Sequence, residues 1–242
     1  MNCAIVSDVH GNLDALLAVT KRIEEIGPDE IVFLGDAVGY GAAPNECIDL
    51  LRGMTKVMIA GNHDFGAVDL TDTRLFNPIA REAIDWTADA LTAENRKLLK
   101  QLPLAHVEDL DIMAVHATPY EPEQWHYILS PSHALVEFEH FEETICFIGH
   151  SHQPMIFELK DAETIVTRTD GMKIEPGRRY IVNVGSVGQP RDHDPRACLC
   201  MCDLGSGDLR IERVEYDIEA AQKRILDAGL PPVLANRLSW GE

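Results

Sequence analysis

The chain is short of positive charge: 21 lysines and arginines stand against 40 aspartates and glutamates, a formal net charge of −19 over 242 residues. A surface of that sign repels polyphosphate backbones, which excludes non-specific nucleic-acid binding unless cations are gathered in one place. Long apolar runs are lacking as well. No stretch approaches the roughly 18 uninterrupted apolar residues that a membrane span needs, and the N-terminus enters a strand-like run with no basic region or cleavage site before it. A soluble, cytoplasmic protein that makes no membrane contact is expected. CxxC spacing is also missing. The six cysteines (Cys3, Cys47, Cys146, Cys198, Cys200 and Cys202) lack the density of a secreted disulfide scaffold and predict reduced thiols in a reducing compartment.

What is present suffices for one large core: 45% of the residues are hydrophobic, and the whole chain, residues 1–242, reads as a single domain. The first third alternates. A strand-like run ends near Asp8, and Leu13, Leu16, Leu17, Val19, Ile23 and Ile26 then recur at helical spacing until Gly27-Pro28 stops them. A second strand ends at Asp36, a helix covers 44–52 and a third strand covers 57–60, a βαβαβ start that implies a parallel sheet. Residues 78–102 read as helical, and the insertion at about 66–105 is a candidate lid. Beyond Ile145, strands at 155–159, 164–169, 180–184, 197–204 and 209–214 follow one another closely, with turns at Asp170-Gly171 and at 205–207, which favours antiparallel pairing. A last helix covers 218–228. Two packed sheets with helices outside are the economical α/β architecture.

Five apolar runs stop at a metal-binding side chain: CAIVSDVH, IVFLGD, VMIAGNH, IMAVH and CFIGHSH. Five strands would thus deliver Asp8, His10, Asp36, Asn62, His63, His116, His150 and His152 to one rim, where loops converge and sites are built. Alternation would point residues 8 and 10 to one side, Asp36 could bridge two ions through both oxygens, and His150 and His152 would share a side of an extended segment. The inference is a two-metal hydrolytic centre. Two cations about 3.5–4 Å apart acidify a water and clamp phosphoryl oxygens. Mixed Asp, Asn and His donors suit Mn, Fe, Zn or Ni. His63 is surplus as a ligand and is better used to hydrogen-bond a phosphate oxygen or to protonate the leaving alkoxide, with Asp64 or Asp36 orienting it.

The ordered blocks D-x-H, GD, GNHD, H and GHxH resemble the calcineurin-like metallophosphoesterase superfamily. The segment Asn183-Val184-Gly185-Ser186-Val187-Gly188-Gln189-Pro190-Arg191-Asp192 is similar to one in its small bacterial and archaeal phosphodiesterases. The resemblance implies a four-layer αββα sandwich of two mixed sheets. It implies one divalent ion on Asp8, His10, Asp36 and His152, a second on Asp36, Asn62, His116 and His150, and the role already given to His63. A small phosphoester is the expected substrate partner, and the sequence selects neither monomer nor dimer.

Each feature has a plainer reading beside it. His106, His126, His133, His140 and His193 lack supporting blocks and read as structural or surface residues, although His126, between Trp125 and Tyr127, lies where it could touch substrate. Cys198, Cys200 and Cys202 alternate along one strand and read as core. Arg191 either meets a phosphodiester oxygen or makes a surface ion pair. Residues 185–188 either present N–H groups to an anion or serve turn geometry. The superfamily's protein phosphatases continue the aspartate block with an Asp-Arg pair that grips phosphate; here the chain runs Ala37-Val38-Gly39-Tyr40-Gly41, which points to phosphodiesters. A nucleotide or dinucleoside polyphosphate hydrolase, a broad phosphomonoesterase and a non-catalytic binding protein on this fold are the competing readings.

Overall fold

The computed structural model of the protein describes residues 1–108 and 111–242. In chain order it begins with β1 (Asn2–Val6), α1 (Leu13–Ile26), β2 (Glu30–Phe33), α2 (Pro44–Met54) and β3 (Val57–Met58). A helical region follows, with α3 (Asn62–Gly66), α4 (Pro78–Ala90) and α5 (Ala93–Leu99). Next come β4 (Ala105–Glu108), β5 (Ile112–Val115), α6 (Pro131–Glu137), β6 (Ile145–Ile148), β7 (Met155–Lys160), β8 (Glu163–Thr167) and β9 (Gly171–Lys173). The chain closes with β10 (Arg179–Asn183), β11 (Ala197–Asp203), β12 (Asp208–Val214), α7 (Ile218–Asp227) and α8 (Pro232–Asn236).

Local chemistry sets the helix ends. The Asn12 side chain accepts the Ala15 N–H at the start of α1, and Gly27, at φ 64°, returns its N–H to the Ile23 carbonyl at the end. Asn77 caps α4 in the same way, and Pro78 and Pro44 occupy first-turn positions that need no N–H donor.

The strands form two six-stranded mixed sheets ordered β3-β2-β1-β11-β12-β9 and β4-β5-β6-β10-β7-β8. The expected parallel start is there, since β1 pairs parallel with β2 and β2 with β3. The antiparallel reading of the second half needs one correction: β10 pairs antiparallel with β7 but parallel with β6, through Tyr180↔Ile145. A second correction concerns residues 170–171, read as a turn, because Gly171 opens β9 and pairs with Arg210 of β12. Among the described residues no helix is long and apolar enough to cross a membrane.

Alternation along the strands sorts the core into layers. Cys3 and Ile5, Cys198, Cys200 and Cys202 face Ile145, Phe147, Tyr180 and Val182 across the gap between the sheets. Their neighbours Ala4, Val6, Leu199 and Met201 turn outward under α1 and α2, and Cys146, Ile148 and Ile181 turn outward under α6. This is the αββα sandwich. Each fully buried large side chain such as Tyr180 or Phe147 contributes roughly 1.5–3 kcal/mol by leaving water. The alternating cysteines are sheet-gap core, as their spacing predicted.

Candidate metal centre

The ligand-type residues lie just beyond the strands, and backbone geometry turns them inward. Asp8 (φ 54°), His10 (50°), Asp36 (58°), His150 (65°) and His152 (59°) are all left-handed, a region Asp and His enter more readily than most residues. The alternation argument for residues 8 and 10 is therefore corrected: β1 ends at Val6, and two left-handed residues do the aiming. The same holds for His150 and His152. The loops after β1 and β2 are zipped together, with Asp8 N donating to Gly35 O (3.0 Å), His10 N to Asp36 O (2.9 Å) and Gly11 N to Ala37 O (2.9 Å). Such strained conformers persist when the surroundings over-determine them, and they concentrate at functional sites.

Around these loops the buried donors converge in three groups whose ligand atoms lie within 4.8 Å of one another: Asp8, His10 and His152; His10, Asp36 and His63; Asp36, His116 and His150. His10 and His152 bring their Nε2 atoms to 3.0 Å from each other, and His152 Nε2 lies 3.2 Å from Asp8 Oδ1. His116 Nε2 lies 3.2 Å from Asn62 Oδ1 and 3.4 Å from Asp36 Oδ2, and His10 Nε2 lies 3.6 Å from that same Oδ2. A single oxygen of Asp36 thus sits between the two groups. The expectation that both oxygens are shared gives way, because Oδ1 accepts the His63 backbone N–H at 2.8 Å.

The imidazoles of His10, His116, His150 and His152 are each fixed from behind by a carbonyl. Nδ1 of His10 bonds Val38 O (3.0 Å), Nδ1 of His116 bonds Leu34 O (2.8 Å) and Nδ1 of His152 bonds Gln189 O (2.6 Å), which leaves Nε2 of each pointing into the centre. His150 is reversed: Nε2 bonds Trp125 O at 2.9 Å, so Nδ1 is its inward atom. Carbonyl partners of this kind set tautomer and orientation in metal-ligating histidines. The donor set fits divalent cations. Asp8 Oδ1 is fully buried with no hydrogen-bond partner, an arrangement that costs free energy unless something positive meets it.

Electrostatics agree. Burial alone would raise Asp8 and Asp36, but the imidazoles around them, His152 first for Asp8 and His116 first for Asp36, outweigh it and hold both carboxyls well below the usual range. Burial and His116 push His150 down to about 3, and burial and Arg191 push His152 down to about 3, so both rings are neutral donors at neutral pH. Burial would lower His116 too, but Asp36 overrides it and lifts His116 to about 9.

Asp64 stands behind the centre. Its Oδ2 accepts the backbone N–H of Asp36 (2.7 Å) and of Gly61 (3.0 Å), and its Oδ1 accepts that of Val38 (3.3 Å). Burial and the Asp36 charge raise its carboxyl to about 7. The contact that orients His63 is instead the bond from its own N–H to Asp36. The His63 ring packs 4.5 Å from Tyr40, 4.8 Å from His10 and 5.2 Å from Phe76, with Nδ1 buried and without a partner.

Arg191 is placed by Gln189 Oε1, which accepts from it at 2.8 Å, and by the Tyr40 hydroxyl at 3.3 Å, with the guanidinium 5.6 Å from the Tyr40 ring centroid. Residues 185–188 brace the site: Val187 N donates to Ser7 O, Gly188 N to Asp8 O and Gly185 N to Asn183 Oδ1. Those amides are committed, so the turn-geometry reading of that segment holds. His126 is exposed, whereas its neighbours Trp125 and Tyr127 line the cavity over the centre. Tyr127 stacks on His150 at 4.1 Å. Sequence reasoning missed the roles of Trp125, Tyr127 and Tyr40, and the aromatic pair flanking His126 was the one signal that could have found the first two.

A family model described as the calcineurin-like phosphoesterase superfamily domain matches residues 1–207. The chain is 37% identical over 241 residues to an uncharacterized protein of Methanocaldococcus jannaschii, covering 98% of this chain and 97% of that one. The crystal structure of a metallophosphoesterase from Sphaerobacter thermophilus is similar with a TM-score of 0.89 and 37% identity, covering 100% of this chain and 99% of that one. A hypothetical protein from Pyrococcus horikoshii shares the fold with a TM-score of 0.81 at 22% identity, over 100% of this chain and 98% of its own.

Proposed function

Because the chain belongs to the calcineurin-like phosphoesterase superfamily, we propose that it is a metal-dependent hydrolase of phosphodiesters with a dinuclear centre built on Asp36. The observation that carries the reading is Asp36 Oδ2, set 3.4 Å from His116 Nε2 and 3.6 Å from His10 Nε2. Asp8, His10 and His152 would hold one ion with it, and Asn62, His116 and His150 the other. Mn, Ni, Fe or Zn suit these donors. Two such ions supply an acidified water and a clamp on the phosphoryl oxygens.

The protein's own groups do the rest. His63 faces the cavity beside Asn62 and His150, where its ring hydrogen-bonds a phosphate oxygen or passes a proton to the leaving alkoxide. Asp64 holds the Asp36 backbone in place. Arg191, fixed by Gln189 and Tyr40, lies where a guanidinium meets an ester oxygen. No arginine follows the bridging aspartate, so a dianionic monoester lacks a second cation there, whereas a monoanionic diester does not need one. The chain acts as a single domain, with the insertion at about 66–105 as a lid whose Leu70, Leu75 and Phe76 wall the cavity. The substrate is small, and a reducing, cytoplasmic setting suits the buried cysteines.

Purified protein loaded with Mn is expected to bind about two ions per chain. It is also expected to show a higher kcat/KM on bis(p-nitrophenyl) phosphate than on p-nitrophenyl phosphate, with activity abolished by chelator. The reverse substrate order, or one ion per chain at saturation, would overturn the proposal.

A further inference from the structure

The mouth of the metal centre opens into a cavity of about 500 Å³, a size that holds a small organic molecule. Asn62, His63 and His150 form its floor. Five aromatic rings, those of Tyr40, Phe65, Phe76, Trp125 and Tyr127, stand around it. Only 6% of the chain is aromatic, so five rings at one opening are a concentration and not a background. Several are held in place by defined contacts. Trp125 Nε1 donates to Thr71 Oγ1 at 3.1 Å and its ring meets Phe65 edge-on at 6.0 Å, while Tyr127 lies flat on His150.

The charge of the walls is equally informative. Among the described residues that line the cavity, none is a lysine or arginine, and the two carboxylates, Asp72 and Glu123, are both exposed. Asp72 is paired with Arg74 outside the lining. A chain of further phosphates leaving the metal centre along this cavity would find no cation among the described lining residues beyond the Arg191 guanidinium held behind Tyr40, and would meet Glu123. The other polar groups on offer away from the metal centre are neutral, the amides of Asn77 and Gln124 and the hydroxyls of Thr71, Tyr40 and Tyr127. Flat rings with amides at the edge suit an uncharged heteroaromatic group, since every nucleobase has a π-face to stack and an edge to hydrogen-bond.

We infer that the cavity seats a nucleobase and that the substrate is a nucleoside phosphodiester with a single phosphate, excluding dinucleoside polyphosphates. The inference rests on the phosphodiesterase reading for the position of the phosphate. In the step implied, a water oxygen forms the new P–O bond and the bond to the second ester oxygen breaks. That oxygen leaves as an alcohol with the proton, and the product is a nucleoside monophosphate.

Binding of that product separates this inference from turnover. Calorimetric titration of the Mn-loaded protein, with metal in excess, would compare AMP, ribose 5-phosphate and ADP. AMP and ribose 5-phosphate carry the same phosphate and differ by the base; stacking on aromatic side chains is expected to make AMP bind at least about tenfold more tightly. ADP is expected to bind no more tightly than AMP. Phe76→Leu and the surface variant Tyr127→Leu, each removing one ring, should each bring the AMP to ribose 5-phosphate ratio towards one. Equal binding of AMP and ribose 5-phosphate, ADP bound tenfold more tightly than AMP, or a ratio untouched by both variants would overturn the inference. A protein that hydrolyses diesters yet fails this test refutes only the nucleobase seat. One that prefers AMP but hydrolyses no diester refutes the diesterase reading, and with it the diester substrate, and leaves the nucleobase seat standing.

Discussion

The Asp64 carboxylate accepts the backbone N–H of Asp36 at 2.7 Å and thereby holds a left-handed residue whose side-chain oxygen lies between two groups of ligands. Asp64 Oδ2 also accepts the backbone N–H of Gly61, immediately before Asn62, one of the proposed ligands. One buried acid therefore sets the backbone of two neighbouring blocks. Asp64→Asn replaces one accepting oxygen by an N–H₂ group facing backbone donors, leaving at least one of them unpaired at a cost of about 1–3 kcal/mol. Thermal unfolding is expected several degrees lower. Metal content should fall together with stability; a variant with unchanged Tm and full metal loading would remove Asp64 from this positioning role.

His63→Asn tests the separation between holding ions and handling the phosphate. The His63 backbone N–H, which braces Asp36, survives the substitution, while the ring that faces the cavity is lost. A fall in kcat of about 10²–10⁴ with metal content unchanged is expected. Parallel loss of metal, measured by elemental analysis, would make His63 a ligand instead.

Two glycines offer a matched comparison. A Cβ at Gly61 would collide with the Asp36 carboxylate and its backbone nitrogen, so Gly61→Ala must displace Asp36, the proposed bridging residue. Metal affinity is expected to drop by about 10–100-fold, the range seen when groups that position a ligand are lost. At Gly53, in the last turns of α2, a Cβ meets nothing within 4 Å. Gly53→Ala should raise stability by about 0.4–1 kcal/mol and leave metal binding alone. Denaturant melts and metal titrations on the two variants read both outcomes.

The cysteines provide a test of the layered core. Burial raises the thiols of Cys47, Cys146 and Cys200 well above their usual range and those of Cys198 and Cys202 to about 12. Since the thiolate is the nucleophile, native protein at pH 8 should take up iodoacetamide at none of these five positions, and all five should react once the chain is unfolded. Rapid native labelling at Cys198, Cys200 or Cys202, located by peptide mass, would mean that the gap between the sheets is open.

How much of this was legible in the sequence depended on range. The apolar runs and the residues that stop them are local signals, so the seven proposed ligands and His63, which the structure gathers together, could be singled out, and Cys198, Cys200 and Cys202 were placed in the core by their spacing alone. Pairing is not local: a run such as Tyr180 to Asn183 carries no mark that it will lie between β6 and β7, parallel to one and antiparallel to the other. The left-handed conformations of Asp8, His10 and Asp36 were hidden too, because they follow from hydrogen bonds between two loops 26 to 27 residues apart. Trp125 and Tyr127 lie in a loop without periodicity, and contacts distant in sequence, with His150 for both and with Thr71 and Phe65 for Trp125, give them their place.

His116 follows a strand of one sheet and is tied through Nδ1 to Leu34, which follows a strand of the other. The two leaves of the sandwich are thereby pinned at the same point where cations would sit. Sliding one leaf past the other would shear the coordination sphere, so filling that sphere should stiffen the molecule against mechanical or chemical separation of its halves, far from any loop that touches substrate.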